Sequence, residues 1–174
     1  VLLNIFDKFL FGALLIITLQ VPILADHYLQ YLTGYFESTK TQVEGYESTA
    51  VEHQFSDVNA MIDAHLKNPE PSVRTDAQQK LKTLEEFNDL KTALILFHEG
   101  NVFKKAAYMF NPSRWHILQK VLPNFKPSIP LSVAYFIYSF VIALLLSSGI
   151  LFLVRFFVAR SKTKVVQNKV TKAI

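Results

Sequence analysis

Hydrophobic positions crowd the two ends of this chain and recur periodically between them. Residues 131–154, LSVAYFIYSFVIALLLSSGILFLV, carry no charge. A helix of that length spans about 36 Å, enough to cross a hydrocarbon core of roughly 30 Å with some tilt. The stretch is therefore expected to be a transmembrane helix. Residues 1–25 form a second apolar run, broken only by Asn4, Asp7, Lys8, Thr18 and Gln20. A signal peptide competes with a retained first transmembrane helix here, because Lys8 precedes an apolar run ending at Ala25. Asp7 cancels that charge, the run from Phe9 is long for a signal, and Ile23 makes a poor cleavage site, so a retained helix is the preferred reading.

Between the two runs the period changes to that of amphipathic helices. Apolar residues recur at Leu29, Leu32, Phe36, Val43, Tyr46 and Ala50, then after a one-residue shift at Val51, Phe55, Val58, Ile62 and Leu66. Residues 26–67 read as a helix, continuous or nearly so with the first span, which would extend about 60 Å if straight. Asn68-Pro69-Glu70-Pro71 forces a turn. From Ser72 a second stripe runs through Val73, Ala77, Leu81, Leu84, Phe87, Leu90, Leu94 and Phe97, and Gly100 stands where a helix stop belongs. Two such helices joined by a short turn predict a long antiparallel hairpin, each burying its stripe against the other.

The returning segment is longer than the stretch it must accompany, so it has to fold back. Residues 101–110 and 113–122 read as two short membrane-proximal amphipathic helices punctuated by Pro112 and Pro123. Their Phe103, Tyr108, Met109, Phe110 and Trp115 exceed what a lone hairpin needs and are expected to contact the stalk base, the outer headgroup layer or a partner subunit. Tyr28, Tyr31 and Tyr35 are expected to form an aromatic belt at the outer interface. Residues 123–130, PNFKPSIP, are a stiff, extended lead-in to the second span.

Within the spans, Pro22 lacks the amide hydrogen that would bond the Thr18 carbonyl and is expected to kink the first helix. Gln20 is the one strongly polar side chain in either core, a contact between helices or to a ligand on one reading and an interfacial or helix-pairing residue on the other. Ser139, Ala143 and Ser147 recur at four-residue spacing, a small-residue face that admits close approach of another helix. Gly12 and Ala13 of the first span are the expected partner, with a second copy of the same span as the alternative.

Charge then orients the chain. Residues 26–130 hold 11 Lys/Arg and 13 Asp/Glu, whereas residues 155–174 hold Arg155, Arg160, Lys162, Lys164, Lys169 and Lys172 and no acid. The positive-inside bias puts this tail in the cytoplasm, and two crossings then put the N-terminus there as well. The tail reads either as a basic helix on an anionic inner leaflet or as a disordered topogenic segment. The basic balance belongs to the tail, so no nucleic-acid partner is indicated. The expected division is thus 1–25 first transmembrane helix, 26–130 helical domain on the far side of the membrane from the cytoplasm, 131–154 second transmembrane helix and 155–174 cytoplasmic tail, an all-α membrane protein.

Chemistry is sparse. With no cysteine, thiolate catalysis, disulfides and Cys-based metal sites are excluded. The histidines His27, His53, His65, His98 and His116 form no i, i+4 pair. Glu52, His53 and Asp57 could share a helical face, but a solvated salt-bridging surface explains them better than a metal site. Glu85, Glu86 and Asp89 read as the wet face of the second helix. No phosphate loop, nucleophile elbow or paired-carboxylate signature appears, so neither an enzyme nor a cofactor is expected.

Four features, FDKFLFG at residues 6–12, LQVP at 19–22, the long Gln/Glu-rich helix and FKPSIPL at 125–131, make the chain similar to a family of proteobacterial inner-membrane proteins known only as a domain of unknown function. That resemblance implies two membrane spans flanking a periplasmic helical hairpin and carries no catalytic residues. A looser likeness to polysaccharide chain-length regulators is analogy only, since the central part is short and has no strand-forming base. The expected function is a non-enzymatic membrane scaffold or accessory subunit, either a homo-oligomer or part of an envelope complex. A ligand-sensing helical domain without its own output module, and a homo-oligomeric channel, are the alternatives.

Overall fold

The computed structural model describes residues 2–171, with side chains described for residues 5–156 and for Arg160. Every regular element among them is helical: α1 (Leu2–Glu52), α2 (Val58–Leu66), α3 (Pro71–Glu99), α4 (Val102–Met109), a 3₁₀ turn (Pro112–Arg114), α5 (Trp115–Val121), a second 3₁₀ turn (Leu122–Asn124) and α6 (Val133–Thr171). They form two compact units. One takes the chain up to Ile23 and from Lys126 onward; the other is Leu24–Phe125. Among the described residues two helices, α1 and α6, are long and apolar enough to cross a membrane.

In the unit Leu24–Phe125, α1 buries Tyr28, Leu32, Thr39, Val43 and Ala50, which step by four and seven residues and so share one face. Opposite them α3 buries Ala77, Leu90, Ala93 and Phe97. Tyr28 stacks on Phe97 with ring centroids 5.3 Å apart, Phe36 stacks on Phe87 at 5.1 Å, and Lys80 lies over the Tyr46 ring. Rising numbers on α1 meet falling numbers on α3, so the two segments run antiparallel. Tyr28, expected in an interfacial belt, is instead enclosed in this core.

The sequence expectation of one helix over residues 26–67 is corrected. α1 ends at Glu52, Gln54 adopts φ 61°, and α2 starts afresh at Val58 behind Asp57, whose carboxylate accepts the Ala60 N–H at 2.8 Å. The slip in the apolar stripe at Ala50 and Val51 is the physical reason. A one-residue slip rotates everything beyond it by about 100° on a straight helix, which would carry Val58 and Ile62 off the buried side. Breaking the helix returns Val58, Met61 and Ile62 to a cluster with Ala50 and Ala77 and leaves Val51 76% exposed.

Pro71 opens α3 at a position where its missing N–H costs nothing. The turn before it is tied by Arg74, whose guanidinium donates to the carbonyls of Asn68 and Pro69, each at 2.8 Å. At the other end the Gly100 N–H bonds the Leu96 carbonyl at 2.8 Å, and the chain re-enters helix behind Asn101, which accepts the Lys104 N–H. α4 and α5 fold onto the core through Met109, Ile117, Leu118 and Val121.

In the other unit α1 packs beside α6. The second apolar helix does not stop where its apolar run does: α6 begins at Val133 and continues past Arg155 to Thr171. No Gly or Pro interrupts residues 150–171, and Lys, Arg, Ala and Gln there are good helix formers.

Candidate functional site

The small-residue face is a helix contact within this chain. Ser139, Ala143 and Ser147 are all buried. The Thr18 Oγ1 stands 3.1 Å from the Ser139 carbonyl, as well as 2.9 Å from Leu14 O and 3.1 Å from Leu15 O, and serves one of these acceptors at a time. Phe11 meets Phe140 edge-on at 5.4 Å. Pro22 is buried, and α1 passes through it without a break. The expected partners Gly12 and Ala13 are not the contact. A Cβ on Gly12 would meet nothing within 4 Å, and Ala13 is exposed. At 100° per residue Thr18 and Pro22 lie nearly in line, while Ala13 lies well over a quarter-turn from Thr18.

Gln20 makes polar contacts along the chain itself. Its side-chain amide holds the Ile16 carbonyl and the backbone of Ser128 in the extended lead-in to α6. At the far end of this helix pair Asp7, Lys8 and Arg155 border a cleft with Phe11, Leu144, Ser147, Ser148, Leu151 and Phe152. Arg160 is exposed; Lys172 and the side chains of Lys162, Lys164 and Lys169 lie outside the described residues.

In the unit Leu24–Phe125 the five aromatic and sulfur side chains expected to make partner or membrane contacts divide into two sets. Phe103, Phe110 and Trp115 are 54%, 50% and 49% exposed. Met109 is fully enclosed, and Tyr108 turns inward, meeting Phe97 edge-on at 5.6 Å and Tyr28 at 6.1 Å. The eight-residue α4 explains the split: Met109 lies one turn from Lys105 and Ala106 on the inner face, whereas Phe103 and Phe110, seven residues apart, share the outer one.

Beside this aromatic cluster is a cleft of about 480 Å³ lined by Tyr35, Lys82, Glu86, Asp89, Tyr108 and Arg114 among others. The Tyr35 hydroxyl donates to Glu86 Oε1. Burial, the bond to Glu86 and that carboxylate's charge push the Tyr35 phenol up to about 12. Arg114 donates to Asp89 at 3.4 Å and lies over the Tyr108 ring, 5.3 Å from its centroid. Burial raises the Tyr108 phenol, against the pull of Arg114. Tyr28 is raised furthest, by burial and then by Tyr108, and its hydroxyl has no hydrogen-bond partner among the described residues.

Glu85, Glu86 and Asp89 outnumber Lys82 and Arg114 by one on this lining, a balance that suits a cation better than an anion, while Arg114 already occupies the Tyr108 ring face. Among the described residues no three His, Asp or Glu side chains converge as a metal site requires. Glu52 and His53 are exposed, and the Asp57 carboxylate is committed to capping α2. Glu85, Glu86 and Asp89 lie on the exposed face of α3 that the sequence predicts, where Glu86 and Asp89 also take a phenol and a guanidinium partner. The steps Tyr28, Leu32, Thr39, Val43 were the available signal for the aromatic core.

A family model described as "Protein of unknown function (DUF2937)" matches residues 2–163. No curated protein and no solved structure matches the chain.

Proposed function

Because the chain belongs to the DUF2937 family, whose function is unknown, we propose its role from its own residues: a non-enzymatic membrane scaffold or accessory subunit. α1 and α6 anchor it in a bacterial inner membrane with both termini cytoplasmic, and the basic tail rests on the inner leaflet. The unit Leu24–Phe125 is then periplasmic, an antiparallel helical hairpin that binds further copies of itself or an envelope complex. The observation that carries this reading is the outer face of α4 and α5. Met109, Ile117, Leu118 and Val121 fasten those helices to the core, so Phe103, Phe110 and Trp115 are held half-exposed on a supported surface. Aromatic side chains that could have turned inward, as Tyr108 does, are instead presented.

Native mass spectrometry of the full chain extracted in mild detergent tests the proposal. An integer multiple of the protomer mass, or co-migration with a second protein, is expected. A strict monomer would overturn it. Reporter fusions at the two termini and in the α3–α4 turn check the topology.

The cleft beside Tyr35 favours a second reading, a ligand-sensing helical domain for a cationic small molecule. Thermal-shift titration with organic cations, repeated on E86Q/D89N, separates it from the scaffold: saturable stabilisation lost in the variant would support sensing.

A further inference from the structure

The cleft between the first turns of α1 and the middle of α6 combines two chemistries that seldom suit the same small ligand. Its apolar wall is Phe11, Leu144, Leu151 and Phe152, and its polar border is Asp7, Lys8, Ser147, Ser148 and Arg155, around a volume of about 440 Å³. Neither Lys8 nor Arg155 forms an ion pair among the described residues, and Asp7 forms none either. Ser147 spends its hydroxyl hydrogen on the Leu144 carbonyl at 3.1 Å, whereas the Ser148 hydroxyl is uncommitted among those residues.

Two cations and one carboxylate leave the border with one net positive charge. A phosphodiester carries one negative charge and accepts hydrogen bonds from lysine, guanidinium and hydroxyl donors. Exposed apolar side chains follow Lys8 along α1 and precede Arg155 along α6, among them Ile16, Ile17, Val141 and Leu145. A free inorganic anion would gain nothing from that surface. An amphiphile whose phosphate meets Lys8 and Arg155 and whose acyl chains lie along it would satisfy both parts.

We propose that the cleft bordered by Lys8 and Arg155 is a specific binding site for one membrane phospholipid. Lys8, Arg155 and Ser148 hold the phosphate, and Asp7 accepts a hydrogen bond from the hydroxyl or ammonium group of the head. The inference rests on the membrane reading above, since only a bilayer supplies the ligand at the needed position. It goes beyond general attraction to an anionic leaflet because the charged groups meet an indented wall shared by two helices rather than an open face.

The test is native mass spectrometry of the full chain purified from bacterial membranes, with collisional energy raised until detergent is stripped. The wild type is expected to retain one phospholipid per protomer, identified by fragmentation. Removing two basic side chains in K8Q/R155Q is expected to lower retention about thirtyfold. The conservative pair K8R/R155K should keep it, which separates loss of the contact from loss of fold. D7N should keep the phosphate contact while changing the preference among ethanolamine and glycerol headgroups. Equal retention by K8Q/R155Q, or no adduct on the wild type, overturns the site. An adduct of phosphate mass alone overturns the lipid assignment. Carbonate extraction of the same membranes distinguishes the two levels of failure: a chain released as soluble protein sinks the membrane reading and this site with it, whereas an embedded chain without lipid sinks only the site.

Discussion

Gln20 and Ser128 exchange two hydrogen bonds: the Gln20 Nε2 donates to the Ser128 carbonyl, and the Ser128 N–H donates to the Gln20 Oε1, each at 3.3 Å. A backbone segment flanked by Pro127 and Pro130 has few internal partners, and the side-chain amide supplies what a neighbouring strand would. The bond from Nε2 to the Ile16 carbonyl at 3.1 Å holds the amide in place. Replacing Gln20 by Ala should release the lead-in to α6 while leaving α3 untouched. Hydrogen exchange at the Ser128 amide should accelerate about five- to tenfold, the equivalent of one hydrogen bond of about 1 kcal/mol. Unchanged exchange would show that the pair does not restrain the segment.

The face of α6 toward α1 admits no larger side chain. Ala143 is fully buried between Ser139 and Ser147, so Ala143→Leu should destabilise the chain by about 1–3 kcal/mol through overpacking. Ala13→Leu, on an exposed face, should stay within about 0.5 kcal/mol. Thermal unfolding of both variants in one detergent checks the contrast, and equal effects would refute the assigned face.

Tyr28 carries a buried hydroxyl without a partner, so Tyr28→Phe should leave stability unchanged or raise it by up to about 1 kcal/mol. A loss above about 2 kcal/mol in thermal unfolding would mean the hydroxyl is satisfied after all.

Alkali should weaken the unit Leu24–Phe125. The phenols of Tyr28, Tyr35 and Tyr108 are raised above the unfolded value of about 10. The fold therefore retains protons that the unfolded chain has lost, so stability is full below about pH 10 and falls as pH rises toward the folded values, about 12 for Tyr35. Circular-dichroism melts across this range should show the decline, less steeply for Tyr28→Phe. A flat profile would contradict the burial argument.

Gly100 is needed where α3 ends. A Cβ there would lie 2.3 Å from the Leu96 carbonyl oxygen, so the backbone must shift to admit it. Gly100→Ala should cost roughly 1–3 kcal/mol and loosen α4. Exchange of the α4 amides is the sensitive readout; unaltered protection would show that the turn adapts freely.

The outer aromatics should report on assembly more than on the fold. Phe110→Ser with Trp115→Ser should cost about 1 kcal/mol of thermal stability at each position, since about half of each ring is buried. The same double variant should dissociate the assembly that native mass spectrometry of the wild type is expected to show. A fully assembled variant would remove these side chains from the interface.

Length, period and punctuation determined much of this protein. An uncharged run of twenty-four residues can hardly be anything but a long apolar helix, and α6 contains all of it but Leu131 and Ser132. Pro71 and Gly100 bound α3 because backbone chemistry acts locally, whatever packs nearby. The small-residue spacing at Ser139, Ala143 and Ser147 likewise marked a contact face, since helical geometry alone puts the three in line. Tertiary structure alone decided which surface meets it. Thr18 rather than Gly12 faces Ser139, because rotational phase between two helices depends on the sum of contacts along both. It also decided that α1 breaks at Glu52, where a slip in the apolar stripe is less costly as a turn than as exposed Val58 and Ile62. The same holds for Tyr28, Tyr108 and Met109. Amphipathic character marks such residues as interfacial, but only the arrival of Phe97 and the fold-back of α4 makes them core.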